Sequence, residues 1–111
     1  MTIRYKSDTF DLTTTSLTTI LTCPSDATII VKSLQASHKV ASNVGVDAYL
    51  RKSGGSDVEI SHAELNKEFT NMITSSLNME ASDILKIQAD TSNAITGVVS
   101  YALIDRSQEN G

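Results

Sequence analysis

The sequence contains 111 residues, which is enough for one compact domain and too few for two. Nine Lys and Arg stand against thirteen Asp and Glu, and the resulting net charge of −4 disfavours a protein that wraps nucleic acid with a basic face. Hydrophobic residues make up 40% of the chain and 28 residues are Ser or Thr, so we expect a folded core built from strands and not from helices.

Residues 1–12 are predicted to form either an N-terminal arm or the first strand, because their apolar side chains recur with a period closer to 2 than to 3.6. Residues 13–22 are dense in Thr, Leu and Ile, which predicts a strand. A turn at residues 23–26 contains the only proline. It leads to a strand at residues 27–37, whose first half is expected to be buried on both faces.

The most regular alternation of apolar and polar residues lies in residues 44–51 and predicts a strand with one face in solvent. Two glycines within residues 52–57 predict a tight hairpin into the next strand, which starts at Val58. Residues 63–69 contain helix-forming side chains, so we expect either one helical turn or a loop there.

The last third of the chain begins with a weakly alternating run at residues 72–79, and a strand is predicted at residues 83–89. Four turn-forming residues at positions 90–93 predict a hairpin into a final strand at residues 94–104. Gly97 within that strand is a candidate for a β-bulge.

These segments predict an all-β fold: a single-domain antiparallel β-sandwich, jelly-roll-like, with about seven or eight short strands. The sandwich is expected to span residues 13–105, with a polar tail at residues 106–111. The first ten residues lack the apolar run of a signal peptide, and no apolar stretch is long enough to cross a bilayer. We therefore expect synthesis in a cytoplasm and no membrane partner.

The sequence shows no pattern of catalytic residues. His38 and His62 lack partners at metal-ligand spacing and are interpreted as surface loop residues. Cys23, the only cysteine, is interpreted as a small buried apolar residue that forms no disulfide within the chain. We therefore expect a protein that is not an enzyme, with no catalytic residue, no cofactor and no metal site.

Aromatic residues make up only 5% of the chain, so each is expected to anchor a core or an interface. We expect Phe10, Phe69 and Tyr101 in the core or at an interface, and Tyr5 and Tyr49 on the surface.

The order of the segments resembles that of small virion proteins of tailed bacteriophages, including cyanophages. Two residues depart from that pattern: Cys23 stands where Val is expected, and Ser82 stands where such proteins often have Gly before the Asp. The matching segments are TTSLTTILTCP (14–24), ATIIVKSLQA (27–36), VGVDAYLRKSGGS (44–56), LNMEASDILKIQAD (77–90) and VVSYALID (98–105).

This resemblance implies a β-sandwich accessory protein of the virion, made in the host cytoplasm. It would act as a capsid decoration or cement protein, or at the neck or tail. Its partners would be further copies of itself, with a trimer as the expected state, and the major capsid protein or other virion proteins. No direct contact with nucleic acid is expected.

Two groups of surface residues are candidates for binding. Basic residues near the N-terminus suit an acidic partner, and the candidate interaction arm comprises Ile3, Arg4, Tyr5, Lys6 and Phe10. The alternative function is a small carbohydrate- or receptor-binding β-sandwich, for which the candidate surface cluster comprises Asn43, Asp47 and Tyr49.

Overall fold

Nine antiparallel strands form the part of the chain that the computed structural model describes, which is residues 2–40, 43–66, 69–73 and 75–106. The strands are β1 (Thr2–Leu12), β2 (Thr18–Thr22), β3 (Ala27–His38), β4 (Val44–Arg51), β5 (Asp57–Leu65), β6 (Phe69–Ile73), β7 (Leu77–Met79), β8 (Ile84–Ala89) and β9 (Ile95–Asp105). No helix in these residues could span a membrane.

The strands are arranged in two sheets. One sheet has the order β1-β9-β3-β6, with β7 also paired to β3, and the other has the order β2-β8-β4-β5. The strand order in both sheets is that of a jelly roll, in which β6 and β7 together take the place of one strand. The predicted all-β antiparallel sandwich is therefore confirmed.

The inner faces of the two sheets form one apolar core. Cys23 belongs to it, with 1% of its surface exposed, and its thiol lies 3.3 Å from the Ala27 carbonyl oxygen. Burial raises the pKa of the Cys23 thiol.

The side chains of β3 that face the core do not follow one regular alternation along the whole strand. Ile29 and Val31 are buried in its first half and Leu34 and Ala36 in its second half, because the register with β9 shifts between Val31 and Ser33. Lys32 sits in this β-bulge and is exposed. The first half of β3 alternates between buried and half-buried side chains, so the prediction of burial on both faces there was wrong.

The predicted strand at residues 13–22 is shorter in the structure, where β2 begins only at Thr18. In the preceding segment the Ser16 N–H donates to Thr14 Oγ1 at 3.3 Å, and Thr18 Oγ1 donates to the Ser16 carbonyl oxygen at 3.0 Å. Hydroxyl side chains here bond to the local backbone, and such bonds compete with pairing in a sheet.

The helical turn considered for residues 63–69 does not occur in its described part, and residues 67–68 lie outside the described residues. Strand β5 continues to Leu65, which pairs with Val44 of β4, and Phe69 begins β6. Cross-strand pairing here overrides the local preference for helix.

Only one of the two predicted hairpins is a hairpin in the structure. Residues 52–57 join the paired strands β4 and β5, and Gly54 has the positive φ of 76° that this tight turn requires. Residues 90–93 instead connect β8 to β9, which lie in different sheets. Turn-forming residues predict that the chain reverses direction, but not which strands pair afterwards.

Gly97 does not lie in a bulge. The register of β9 is continuous there on both sides, with Phe10 of β1 and Ala36 of β3 as its partners. Close contact explains the glycine instead, because an added Cβ would lie 2.2 Å from the Gln35 carbonyl oxygen.

Ser82→Gly is expected to raise the free energy of unfolding by about 0.5–1 kcal/mol, because Ser82 has a φ of 70° that costs a side chain more than glycine. The Ser82 N–H, which donates to the Cys23 carbonyl oxygen, is kept. Urea denaturation measures the gain. Asn93→Gly is the control, since Asn tolerates its φ of 56° and should gain less. A less stable Ser82→Gly variant would contradict the interpretation that the positive φ of Ser82 costs stability.

Candidate interaction surfaces

Strand β1 lies at the edge of its sheet, and β9 is its only partner among the described strands. Residues 2–9 are all exposed. Tyr5 exposes 80% of its surface and Ile3 exposes 51%, so this edge carries two large apolar side chains in solvent. An exposed edge strand offers unpaired backbone N–H and C=O groups to a further strand.

The structure separates the five residues of the candidate arm into two groups. Ile3, Arg4, Tyr5 and Lys6 lie on the exposed half of β1, which is hydrogen-bonded to β9 and not a detached arm. Phe10 is half-buried and packs against the core. Phe10 therefore holds β1 in place, while the other four side chains face solvent.

A second contact also fixes the middle of β1. The Tyr101 hydroxyl, on the neighbouring strand β9, donates to Asp8 Oδ2 at 2.9 Å. Burial, together with this carboxylate, raises the pKa of Tyr101 to about 12. Tyr101 is thus a core residue, whereas Phe69 exposes 62% of its surface.

The outer face of β4 and β5 brings together residues that the sequence does not connect. Asp47 and Tyr49 are two residues apart on β4, and Asn43 is exposed just before that strand. His62 on β5 is directly opposite Asp47, and its Nδ1 is in hydrogen-bond contact with Asp47 Oδ1. Its Nε2 lies 3.3 Å from Glu64 Oε1.

The interpretation of the two histidines as loop residues was wrong. His62 lies within β5 between two carboxylates, and His38 is the last residue of β3. No signal in the sequence indicates the pair of His62 and Asp47, because cross-strand neighbours are set by register and not by spacing in the chain.

The charges on this face shift one another's pKa values. The hydrogen bond with Asp47 raises the pKa of His62, and the same carboxyl raises the pKa of Glu59. Partial burial, and then the carboxylates of Asp47, Glu59 and Asp57, raise the pKa of Tyr49. Asp57, at the start of β5, forms an ion pair with Lys86 of β8 at 3.0 Å, so this part of the sheet carries charges of both signs.

No family model matches the sequence, and no curated protein matches it. The solved structures with a similar fold include chains of two assemblies. One is a chain of the acidic stable capsid structure of Helicobacter pylori bacteriophage KHP30, at 12% identity and a TM-score of 0.60, covering 96% of this chain and 90% of that chain. The other is a chain of Bacillus endospore appendages, described as disulfide-linked pili, at 13% identity and a TM-score of 0.51, covering 95% and 88%.

At these identities the similarity is one of fold. It extends over almost the whole of each chain, so the complete sandwich has a counterpart in both structures. The fold of this protein is therefore one that occurs in the subunits of two structural assemblies, a phage capsid and a pilus.

Proposed function

We propose that this chain is a non-enzymatic structural component of a tailed-phage virion, and specifically a capsid decoration or cement protein that stabilises the particle by binding its shell. The observation that carries the proposal is strand β1, an exposed edge with two apolar side chains on a fold similar to a chain of a phage capsid. A shell-binding protein needs a rigid scaffold and surfaces for its neighbours, and it needs no chemistry.

The exposed half of β1 is the proposed contact surface. Its free backbone edge can pair with a strand of a neighbour, which supplies affinity through main-chain hydrogen bonds. Tyr5 and Ile3 add apolar area, and large aromatic side chains contribute strongly when an interface buries them. Arg4 and Lys6 add positive charge that favours an acidic partner. The partners are further copies of the chain, as a trimer, and the major capsid protein.

The double substitution Ile3→Lys with Tyr5→Lys is expected to weaken self-association and binding to phage heads at least about tenfold, because charge on an edge strand opposes pairing. Sedimentation velocity measures the oligomer, and co-sedimentation with heads measures binding. Val58→Lys is the matched control, since Val58 is also exposed, at 59%, but lies on β5 in the other sheet. Circular dichroism and thermal melting should be unchanged in both variants.

A wild-type chain that sediments as a monomer and does not bind heads would contradict the proposal. Immunogold labelling of intact particles distinguishes the positions on the virion. Label over the shell supports a decoration protein, whereas label restricted to the neck or tail supports an accessory protein there. Specific hits on a glycan array, lost on substitution of Asp47 or Tyr49, would favour the carbohydrate-binding alternative.

A further inference from the structure

Three side chains on the outer face of β4 and β5 have no part in the proposed role of β1. Asp47, Glu59 and His62 each offer a donor atom, and these atoms all lie within 4.8 Å of one another. The set combines one imidazole nitrogen with two carboxylates. First-row transition metals such as Zn²⁺ accept both kinds of ligand.

We propose that Asp47, Glu59 and His62 form a binding site for one divalent transition-metal ion, with Zn²⁺ as the reference ligand. His62 Nδ1 faces the carboxylate of Asp47 and is the nitrogen that would bind the ion. Three protein ligands leave room for water or for a group from a neighbouring molecule to complete the coordination.

The position of Glu64 supports the orientation of His62 in this site. With the metal on Nδ1, the proton of the neutral ring is on Nε2, and Nε2 lies 3.3 Å from Glu64 Oε1. A metal-binding histidine usually donates its other ring N–H to a carboxylate or carbonyl, which fixes the tautomer and the plane of the ring. Glu64 is therefore a positioning residue in the second layer of the site.

The backbone places the three ligands on one face of a paired sheet. Asp47 and His62 are directly opposite each other in the register of β4 and β5. Glu59 is three residues before His62, so an unbroken strand would point these two side chains in opposite directions. The β-bulge in β5, where the register shifts opposite Ala48 and Tyr49, brings Glu59 to the same side.

The charges also leave a place for a cation. The Asp47 and Glu59 carboxylates each place an oxygen within 4.8 Å of the other and of a ring nitrogen of His62. Asp57, the first residue of β5, is already paired with Lys86 of β8 at 3.0 Å. A divalent ion would neutralise both carboxylates at once.

Isothermal titration of the chelator-treated full chain with ZnCl₂ tests the site. We expect one Zn²⁺ per chain, with affinity reduced at least about tenfold in His62→Gln and in Glu59→Gln, since each removes a ligand. His38→Gln is the matched control, because it removes the other histidine, at the end of β3, and should bind Zn²⁺ like the wild type. Co²⁺ gives a second readout, since its visible absorption should change on binding to the wild type and not to His62→Gln.

The absence of binding at millimolar Zn²⁺ would overturn the proposal, as would equal affinity in the wild type and His62→Gln. Loss of binding in His38→Gln alone would place the ion elsewhere and would overturn it too. Thermal melting of the metal-free variants shows that each is folded, because His62 and Glu59 are both exposed strand residues whose loss should leave the core intact. The titration uses the isolated chain, so its outcome is independent of any virion.

Discussion

Gly97→Ala is expected to lower the free energy of unfolding by about 3 kcal/mol. This is the largest loss of stability that we expect in this chain from the addition of one methyl group. A Cβ atom at position 97 would lie 2.2 Å from the Gln35 carbonyl oxygen and 2.4 Å from Cζ of Phe10. Both distances are far below a van der Waals contact. Because β9 is paired on both sides, with β1 and β3, it cannot move away without losing hydrogen bonds in one of the two ladders.

Gly54→Ala is the matched control for this prediction. Gly54 has a φ of 76° and no atom within 4 Å of its added Cβ, so its substitution should cost about 1 kcal/mol through backbone strain alone. The double variant Phe10→Ala with Gly97→Ala should stay well below the wild type, because the clash with the Gln35 carbonyl oxygen is still present. Urea denaturation measures all three. A Gly97→Ala variant as stable as Gly54→Ala would show that β9 adjusts without cost.

Local sequence patterns predicted the strands in which one alternation of inward- and outward-facing side chains continues from end to end. Val44, Val46 and Ala48 alternate with Gly45 and Asp47, and all three are buried in β4 as that alternation requires. Strand β3 does not keep one phase, because the bulge at Lys32 moves the buried set from odd to even positions. If strict alternation is assumed to continue through Lys32, residues that face the same core are assigned to opposite faces of the sheet.

The candidate sites show the same division between local and long-range information. Asp47 and Tyr49 were predictable as neighbours on one face, because they are two residues apart on a regular strand. His62 and Glu59 were not, since their approach to Asp47 depends on the register of β5 and on its bulge. Phe10 was expected in the core or at an interface, and it packs against the core. Its pairing with Gly97 was not predictable, because Gly97 lies at the other end of the chain.

Asp83→Ala is expected to lower the free energy of unfolding by about 2–3 kcal/mol, because it removes a buried, fully bonded carboxylate. Asp83 has 1% of its surface exposed and accepts hydrogen bonds from the Glu80 N–H at 2.9 Å and the Ser53 N–H at 3.1 Å. It also forms an ion pair with Lys52. This carboxylate joins the turn between β4 and β5 to the turn before β8, and its loss leaves two N–H donors without their partner. Chemical denaturation at neutral pH measures the difference.

Glu80→Ala separates this buried role from a surface charge, because Glu80 pairs with the same Lys52 at 3.1 Å through a side chain that is 79% exposed. Its loss should cost less than about 0.5 kcal/mol.

The pH dependence of stability gives a further test of the role of Asp83. Burial alone would raise the pKa of Asp83, but the bonds from Lys52 and the two N–H groups lower it below the ordinary value of 3.8. The unfolded chain therefore takes up the proton first, so the contribution of Asp83 is complete above pH 3.8 and decreases as the pH falls through the lower folded value. The stability difference between the wild type and Asp83→Ala should accordingly be constant from pH 5 to pH 7 and smaller at pH 3. A difference that is unchanged at pH 3 would assign the effect to packing and not to the carboxylate.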